Sequence, residues 1–319
     1  MRHPFPPTVS AGAVAAAAEA DNRVHRWPLT PRLTAWLRTK GATQRLAGFE
    51  ADRVALGVSV AEDARGHVVM TVPGAGPGGS TPGAVEGAWV LWIHGGGFCW
   101  GSARDGTGLR LAAGLSRPVV SVEYPLAPEA RFPAALDACV DAYLAGTQER
   151  GHRVLLGGVS AGANLALGVL QRLRARRAAG EDIPLPLGLV ALTPFGDLAG
   201  EGESYRVNEG RDAYLTWRGQ QERFARAYAG GADLRDPFVS PVHADWSGEE
   251  LPPAFFSTGT RDLFLSDTAR IHTAWRAAGG AADLALAEGL WHSYLSDPRL
   301  PESAALLARL LDWCEGVLA

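Results

Sequence analysis

Cysteine is scarce: Cys99, Cys139 and Cys314 are the only three, far apart and with no CxxC pair. Such an odd, scattered set builds neither a disulfide framework nor a zinc site, so the expected compartment is a reducing cytosol, and no metal is expected. Cys99 adjoins a glycine-rich stretch, where a small buried packing residue is expected in preference to a reactive thiol. Long apolar runs are missing too. No stretch approaches the ~20 residues that span a bilayer, which argues against an integral membrane protein. The run from Ala11 to Ala18, after Arg2 and His3, is mostly alanine and ends at Glu19 and Asp21, too weakly apolar for a signal-peptide core. Positive charge is not in excess either. A formal charge of −4 and a pI near 6.1 argue against nucleic acid as the main partner. Arg172, Arg174, Arg176 and Arg177 are accordingly expected to form the solvated face of one helix.

With 319 residues, 47% hydrophobic and 20% charged, the chain has room for one large α/β domain with an appendage or for two modest domains. The first fifty residues read as helical and amphipathic, with turn punctuation at Pro28 and Pro31. Arg53 to Val60 and His67 to Pro73 read as short strands around a turn at Glu62 to Gly66. Gly74 to Gly83 is a Gly/Pro/Ser-rich loop. Gly74, Gly76 and Gly79 match GxGxxG, but Pro77 and Pro82 bar the helix that a dinucleotide site needs, so this is a linker.

From Ala88 onward strands alternate with helices. Strands are expected at Ala88 to Ile93, Pro118 to Glu123, Arg153 to Val159, Gly188 to Thr193, Ala254 to Thr258 and Ala282 to Ala287. Helices are expected at Pro133 to Leu144, Ala161 to Arg177, Asp267 to Ala278 and Pro301 to Leu318. This rhythm implies a largely parallel sheet covered on both faces. A polar stretch from Asp197 to Asp236, with a helix expected from Trp217 to Ala229, interrupts it and should sit above the sheet's C-terminal edge as part of a cap.

Two stretches carry the chemistry. Gly158-Val159-Ser160-Ala161-Gly162 lies between a strand and an apolar helix and reads as a nucleophile elbow. Small residues flank Ser160 where side chains would crowd the turn, and the helix after it points its positive end at the site. His94-Gly95-Gly96-Gly97-Phe98 follows another buried strand. Its amides at Gly96 and Gly97, with that of Ala161, are the expected oxyanion donors. A serine hydroxyl also needs a base and a group that orients it. His94 is better read as a prop for its own loop. His292, in the loop after Ala282 to Ala287, fits the base; His243 and His272 fit less well. Asp262 fits the acid in preference to Asp267, which looks like a helix N-cap. These residues point to acyl transfer, with ester hydrolysis the expected reaction. Phe98, Trp100, Trp217 and Trp291 are candidates for an apolar substrate pocket, with core or cap packing as the competing role.

Further motifs follow in order: Tyr124-Pro125-Leu126-Ala127-Pro128-Glu129, Phe132-Pro133-Ala134-Ala135, Asp236-Pro237-Phe238-Val239-Ser240-Pro241 and Leu251-Pro252-Pro253. Together with HGGGF, the elbow and the loops at Asp262 and His292, they resemble the hormone-sensitive-lipase-like carboxylesterases of the α/β-hydrolase superfamily. The resemblance covers Ala88 to the C-terminus. It implies an eight-stranded, mostly parallel sheet with helices on both faces, no cofactor, and a helical cap built from residues 1–50 and an insertion at 197–236 of a 51–319 core. It further implies a serine carboxylesterase with a Ser160–His292–Asp262 triad, acting on short- to medium-chain esters. The same serine could serve an acyltransferase, lactonase or cyclase. Non-catalytic receptors share the scaffold but lose a triad member. A homodimer is left open. Three positions depart from the family pattern: Val159 stands where aspartate is usual, Pro125 where arginine is usual, and Ala163 where a second glycine is common.

Overall fold

Strands that are buried on both faces set the architecture. The computed structural model describes residues 4–20, 29–40, 42–74, 87–248 and 250–319. Its strands are β1 (Ser59–Glu62), β2 (Val68–Thr71), β3 (Trp89–Ile93), β4 (Val119–Val122), β5 (Val154–Val159), β6 (Gly188–Leu192), β7 (Ala254–Gly259) and β8 (Ala282–Ala287). They form one eight-stranded sheet in the order β1-β2-β4-β3-β5-β6-β7-β8. The strand β2 is antiparallel to both β1 and β4, whereas every pairing from β4 across to β8 is parallel. The central β3, β5 and β6 are buried along their whole length, as a sheet covered on both faces requires.

The helices are α1 (Ala11–Glu19), α2 (Pro31–Thr39), α3 (Ala42–Ala55), α4 (Gly106–Leu115), α5 (Ala134–Arg150), α6 (Ala161–Ala178), α7 (Ser204–Val207), α8 (Glu222–Ala229), α9 (Leu265–Ala277) and α10 (Pro301–Leu318). Alternation along β3 divides its side chains between two apolar layers. Trp89, Leu91 and Ile93 pack with Leu136 of α5 and Leu167 of α6. Val90 and Trp92 pack on the other face with Leu109 of α4 and Leu310 of α10. Each such side chain contributes roughly 1.5–3 kcal/mol on burial. This packing holds the C-terminal ends of β3, β5, β6, β7 and β8 side by side, and the loops that carry the site leave from β3, β5, β7 and β8.

Several expectations need correction. Residues from Arg53 do not begin a strand. Instead α3 runs on to Ala55, the chain turns at Gly57, and β1 starts at Ser59. Arg53 closes that turn, since its carbonyl accepts the Val58 N–H (3.0 Å) and its guanidinium donates to the Val58 carbonyl (3.3 Å). The helix expected from Trp217 forms only from Glu222, because Arg218 is extended (ψ 118°) and Gly219 takes φ +77°, a value glycine adopts without strain. Two of the four arginines on α6 are not on a solvated face. Arg174 is buried and donates to the carbonyls of Trp246 (3.0 Å) and Ser247 (2.8 Å), and Arg172 lies over the Phe238 ring at 4.3 Å. Their long stems cover apolar surface while the Arg174 head finds carbonyls and the Arg172 head an aromatic face. Helix α4 has no counterpart among the expected elements. The turn at Pro28, the linker beyond Gly74, and Arg2, His3 and Asp21 lie outside the described residues.

Candidate active site

The elbow is a steric necessity. Ser160 directly follows β5 with φ 59° and ψ −120°, a conformation that a non-glycine residue holds only under strain. A Cβ on Gly162 would lie 2.0 Å from the Ile93 carbonyl oxygen, and one on Gly158 would lie 2.4 Å from the Gly162 backbone. Residues with side chains there would push α6 off β3 and β5. Val159, the departure beside the serine, is buried in the apolar layer shared with Trp92.

The glycine-rich loop after β3 passes directly beside this turn. A Cβ on Gly95 would sit 3.2 Å from the Ser160 Cβ. Gly96 has φ +113°, and a Cβ there would lie 2.2 Å from the Trp100 carbonyl oxygen. Among the hydrogen bonds of the described residues, none uses the N–H of Gly96, Gly97 or Ala161 as donor. His94 supports the loop. Its Nδ1–H donates to the Gly95 carbonyl (2.8 Å), its ring stacks on Tyr124 (4.2 Å between centroids), and the Tyr124 hydroxyl donates to the His94 carbonyl (3.0 Å). Burial lowers the His94 pKa and keeps the imidazole neutral. Cys99 is buried, and its thiol pKa is pushed up to about 12, as expected of a packing residue.

His292 and Asp262 arrive on loops after β8 and β7. The His292 Nε2 lies 2.9 Å from the Ser160 Oγ, and its Nδ1 lies 3.2 Å from the Asp262 Oδ1. All three side chains are buried. Asp262 also accepts the Phe264 N–H (2.8 Å) and the Thr258 hydroxyl (3.1 Å), which leaves its carboxylate little freedom to turn. Phe264 meets the imidazole edge-on at 4.8 Å. Thus Ser160, His292 and Asp262, from three distant loops, form one continuous hydrogen-bonded row.

Asp267 is not an N-cap. It lies in the first turn of α9, wholly buried, and accepts the N–H groups of Gly196 (2.9 Å) and Asp197 (3.0 Å) and the Tyr205 hydroxyl (2.6 Å). Burial, reinforced by the Asp197 charge, raises its pKa well above the ordinary carboxyl range. Its place beneath the loop after β6 explains why it takes no part in the row. His272 is on α9 against Phe256, and His243 lies in a short turn near Asp197 and Glu201. Asp197, Glu201 and His243 are the one set of possible metal ligands among the described residues. Asp197 already accepts the N–H groups of residues 199–202 and the Arg270 guanidinium (2.8 Å), so it serves as an anchor for its loop.

Of the four aromatic candidates, Phe98 and Trp291 are fully buried. Phe98 stacks on Tyr228 at 3.8 Å, and Trp291 meets Phe5 and Tyr214 edge-on. Trp100 and Trp217 are half-buried, the latter edge-on to Tyr205 at 4.7 Å. A cleft of about 460 Å³ opens at His292, bounded by Tyr214, Ser293, Ser296, Asp297, Pro298 and Arg299.

Sequence reasoning missed the supports contributed by other segments. Arg38 of α2 donates to the carbonyls of Cys99 (2.8 Å) and Ala127 (2.5 Å) and pairs with Glu129 (3.0 Å), tying the N-terminal helix to the glycine loop. Arg38→Ala should lower the unfolding free energy by about 2 kcal/mol, the worth of charge-assisted bonds to carbonyls left without partners. Denaturant titration would register this as a lower midpoint at unchanged slope. Asp212 and Asn208 buttress the loops of His292 and Asp262. No residue pattern announces either one, because their partners are far away in the chain.

A family model described as alpha/beta hydrolase fold matches residues 90–296. An esterase of Acinetobacter venetianus is 31% identical over 229 residues, spanning 70% of this chain and 73% of its own. An acetyl-hydrolase of Streptomyces hygroscopicus is 34% identical over 229 residues, spanning 69% and 73%. The solved structure of an esterase superposes with a TM-score of 0.84 at 29% identity, covering 100% of this chain and 96% of its own. That of a hormone-sensitive lipase from a metagenome library gives 0.76 at 27% identity, covering 96% and 95%.

Proposed function

Since the chain belongs to the hormone-sensitive-lipase-like family of α/β hydrolases and is a carboxylesterase, we propose that Ser160 is its nucleophile, His292 its general base and Asp262 the group that orients the base. The observation that carries this reading is the hydrogen-bonded row itself, with Ser160 Oγ to His292 Nε2 at 2.9 Å and His292 Nδ1 to Asp262 Oδ1 at 3.2 Å.

His292 takes the Ser160 proton through Nε2 as Oγ attacks the ester carbonyl, and Asp262 stabilises the imidazolium across Nδ1–H. The amides of Gly96, Gly97 and Ala161 receive the negative oxygen of the tetrahedral intermediate. One such donor typically contributes ~3–4 kcal/mol to the transition state. The imidazolium returns its proton to the leaving alcohol, giving an acyl-Ser160. Water, deprotonated by the same nitrogen, then releases the acid and restores the serine.

The substrates are small esters with short- to medium-chain acyl groups. The likeness to an acetyl-hydrolase supports the short end of this range. The described helices among residues 1–50, together with residues 197–236, serve as the cap. Three unpaired, buried cysteines suit a reducing cytoplasm.

A fluorophosphonate probe tests the assignment. It should attach to the peptide that carries Ser160, at one phosphonyl group per chain, with turnover lost in parallel. Labelling elsewhere, or full labelling with turnover intact, would reject Ser160 as the nucleophile.

A further inference from the structure

One carboxylate from the 197–236 segment joins both loops of the proposed row. Asp212 is buried. Its Oδ1 accepts the N–H groups of Tyr214 (2.9 Å) and Leu215 (3.0 Å), fixing the carboxylate within its own turn. Its Oδ2 accepts the N–H of Leu263 (2.9 Å) and that of His292 itself (3.1 Å). Leu263 directly follows Asp262, so a single oxygen grips the acid loop and the base loop together. Asn208 complements it from the same segment, its Nδ2 donating to the carbonyls of Asp262 (2.8 Å) and Thr260 (3.2 Å). Between them, an acceptor and a donor meet both polarities of backbone group behind the row.

We propose that Asp212 is a positioning residue for ester hydrolysis, holding the His292 imidazole and the Asp262 carboxylate in register and stabilising the imidazolium through its own negative charge. This inference rests on the assignment of His292 and Asp262 as base and orienting acid. Reacting groups displaced by about 1 Å can cost on the order of 100-fold in rate, so a support that sets the spacing of two of them has leverage over kcat. The ionisable groups facing Asp212 are Asp262 and His292 on the packed loops and Tyr214 on its own turn, with Tyr294 facing Asp262 from the His292 side. Burial, with the Asp262 charge next, pushes the Asp212 carboxyl up to about 6. Above that pH it is ionised beside the base, and below it the charge is withdrawn by protonation.

The test compares Asp212→Asn with the wild type and with Ser160→Ala, using a short p-nitrophenyl ester across pH 5 to 9. The amide side chain of this variant presents one acceptor where two carboxylate oxygens now stand, and no charge. On the order of 10- to 100-fold should be lost from kcat, with KM within about threefold of wild type. The acid limb of kcat/KM should move to lower pH, because an imidazolium deprived of a neighbouring negative charge gives up its proton more readily. A kcat within about twofold of wild type would overturn the proposal. So would a loss of kcat with the acid limb unmoved, since that marks mere structural damage. If Asp212→Asn does not fold, Asp212→Glu takes its place: charge retained and acceptor displaced, it should lower kcat while leaving the limb where it is, and unchanged kcat would again overturn the proposal. Ser160→Ala separates the two readings. If it stays active, the assignment of the row fails; if it is inactive while Asp212→Asn is unimpaired, only the role of Asp212 fails.

Discussion

Ser160→Ala should reduce kcat toward a short p-nitrophenyl ester on the order of a millionfold, the typical effect of removing the nucleophile from a three-residue row that acts as a unit. The substitution deletes one oxygen and nothing else. Alanine keeps the Cβ that already fits beside Gly95, and it meets the same φ of 59° that serine holds. The Ser160 N–H bond to the Leu192 carbonyl (2.9 Å) is a backbone bond and survives. The fold and its melting temperature should therefore remain close to those of the parent protein. Residual turnover is expected from the proposed oxyanion donors, the amides of Gly96, Gly97 and Ala161, since such donors polarise a carbonyl whether or not a serine attacks it. Initial rates with purified variant, freed of contaminating esterases, check the figure. Retention of more than about one part in a thousand of the parent rate would mean that another group attacks the ester.

Gly162→Ala should cost a large amount of stability for the addition of one methyl group. The added methyl would stand 2.0 Å from the Ile93 carbonyl oxygen and 2.5 Å from that of His94. Both contacts are backbone, so no side chain can swing aside. Gly162 sits in α6 with ordinary helical geometry, and alanine's better helix propensity would by itself favour the variant by about 1 kcal/mol. Overpacking against rigid neighbours reverses that sign, with an expected net loss of at least about 3 kcal/mol. Because Ile93 and His94 lead into the glycine loop, the displacement should also pull the proposed oxyanion donors from the serine, so activity is expected to fall along with stability. Gly48→Ala is the matched control. It too lies inside a helix, α3, but nothing comes within 4 Å of its added carbon, and a gain of roughly 0.5–1 kcal/mol is expected. Thermal unfolding of both variants decides the matter, and a Gly162→Ala protein that melts at or above the parent temperature would refute the steric account.

What the sequence discloses depends on how local the signal is. Strands such as β3, β5 and β6 are continuous apolar runs, and helix α10 announces itself with Pro301 at its first position. The elbow and the glycine loop are equally local, since steric exclusion acts within a few residues. Helix α4 is hidden by Gly106, Gly108 and Gly114, which lower its propensity. It is held by Asp105, whose carboxylate caps the N–H groups of Thr107 and Gly108 and accepts the Trp92 indole N–H. Arg174 and Asp267 mislead for a common reason. A charged residue in a helical pattern looks solvated or capping until a distant loop supplies its partners. Asp212 is the extreme case, bonding residues 51 and 80 positions away, a relation to which periodicity is blind. His292 and Asp262 are legible because chain order and motif identity mark them, not because any property of their own segments does.

The grip of Asn208 and Asp212 on the loops around Thr260, Asp262, Leu263 and His292 bears on how proteins of this kind can be re-engineered. Residues 197–236 look like a detachable cassette, to be exchanged between homologues for new selectivity. Here, however, that segment carries the side chains that bond the backbone of the loops holding Asp262 and His292, the proposed machinery below it. A transplant that matches only the surface facing the incoming molecule would leave those side chains behind, and the recipient would bind well yet turn over slowly.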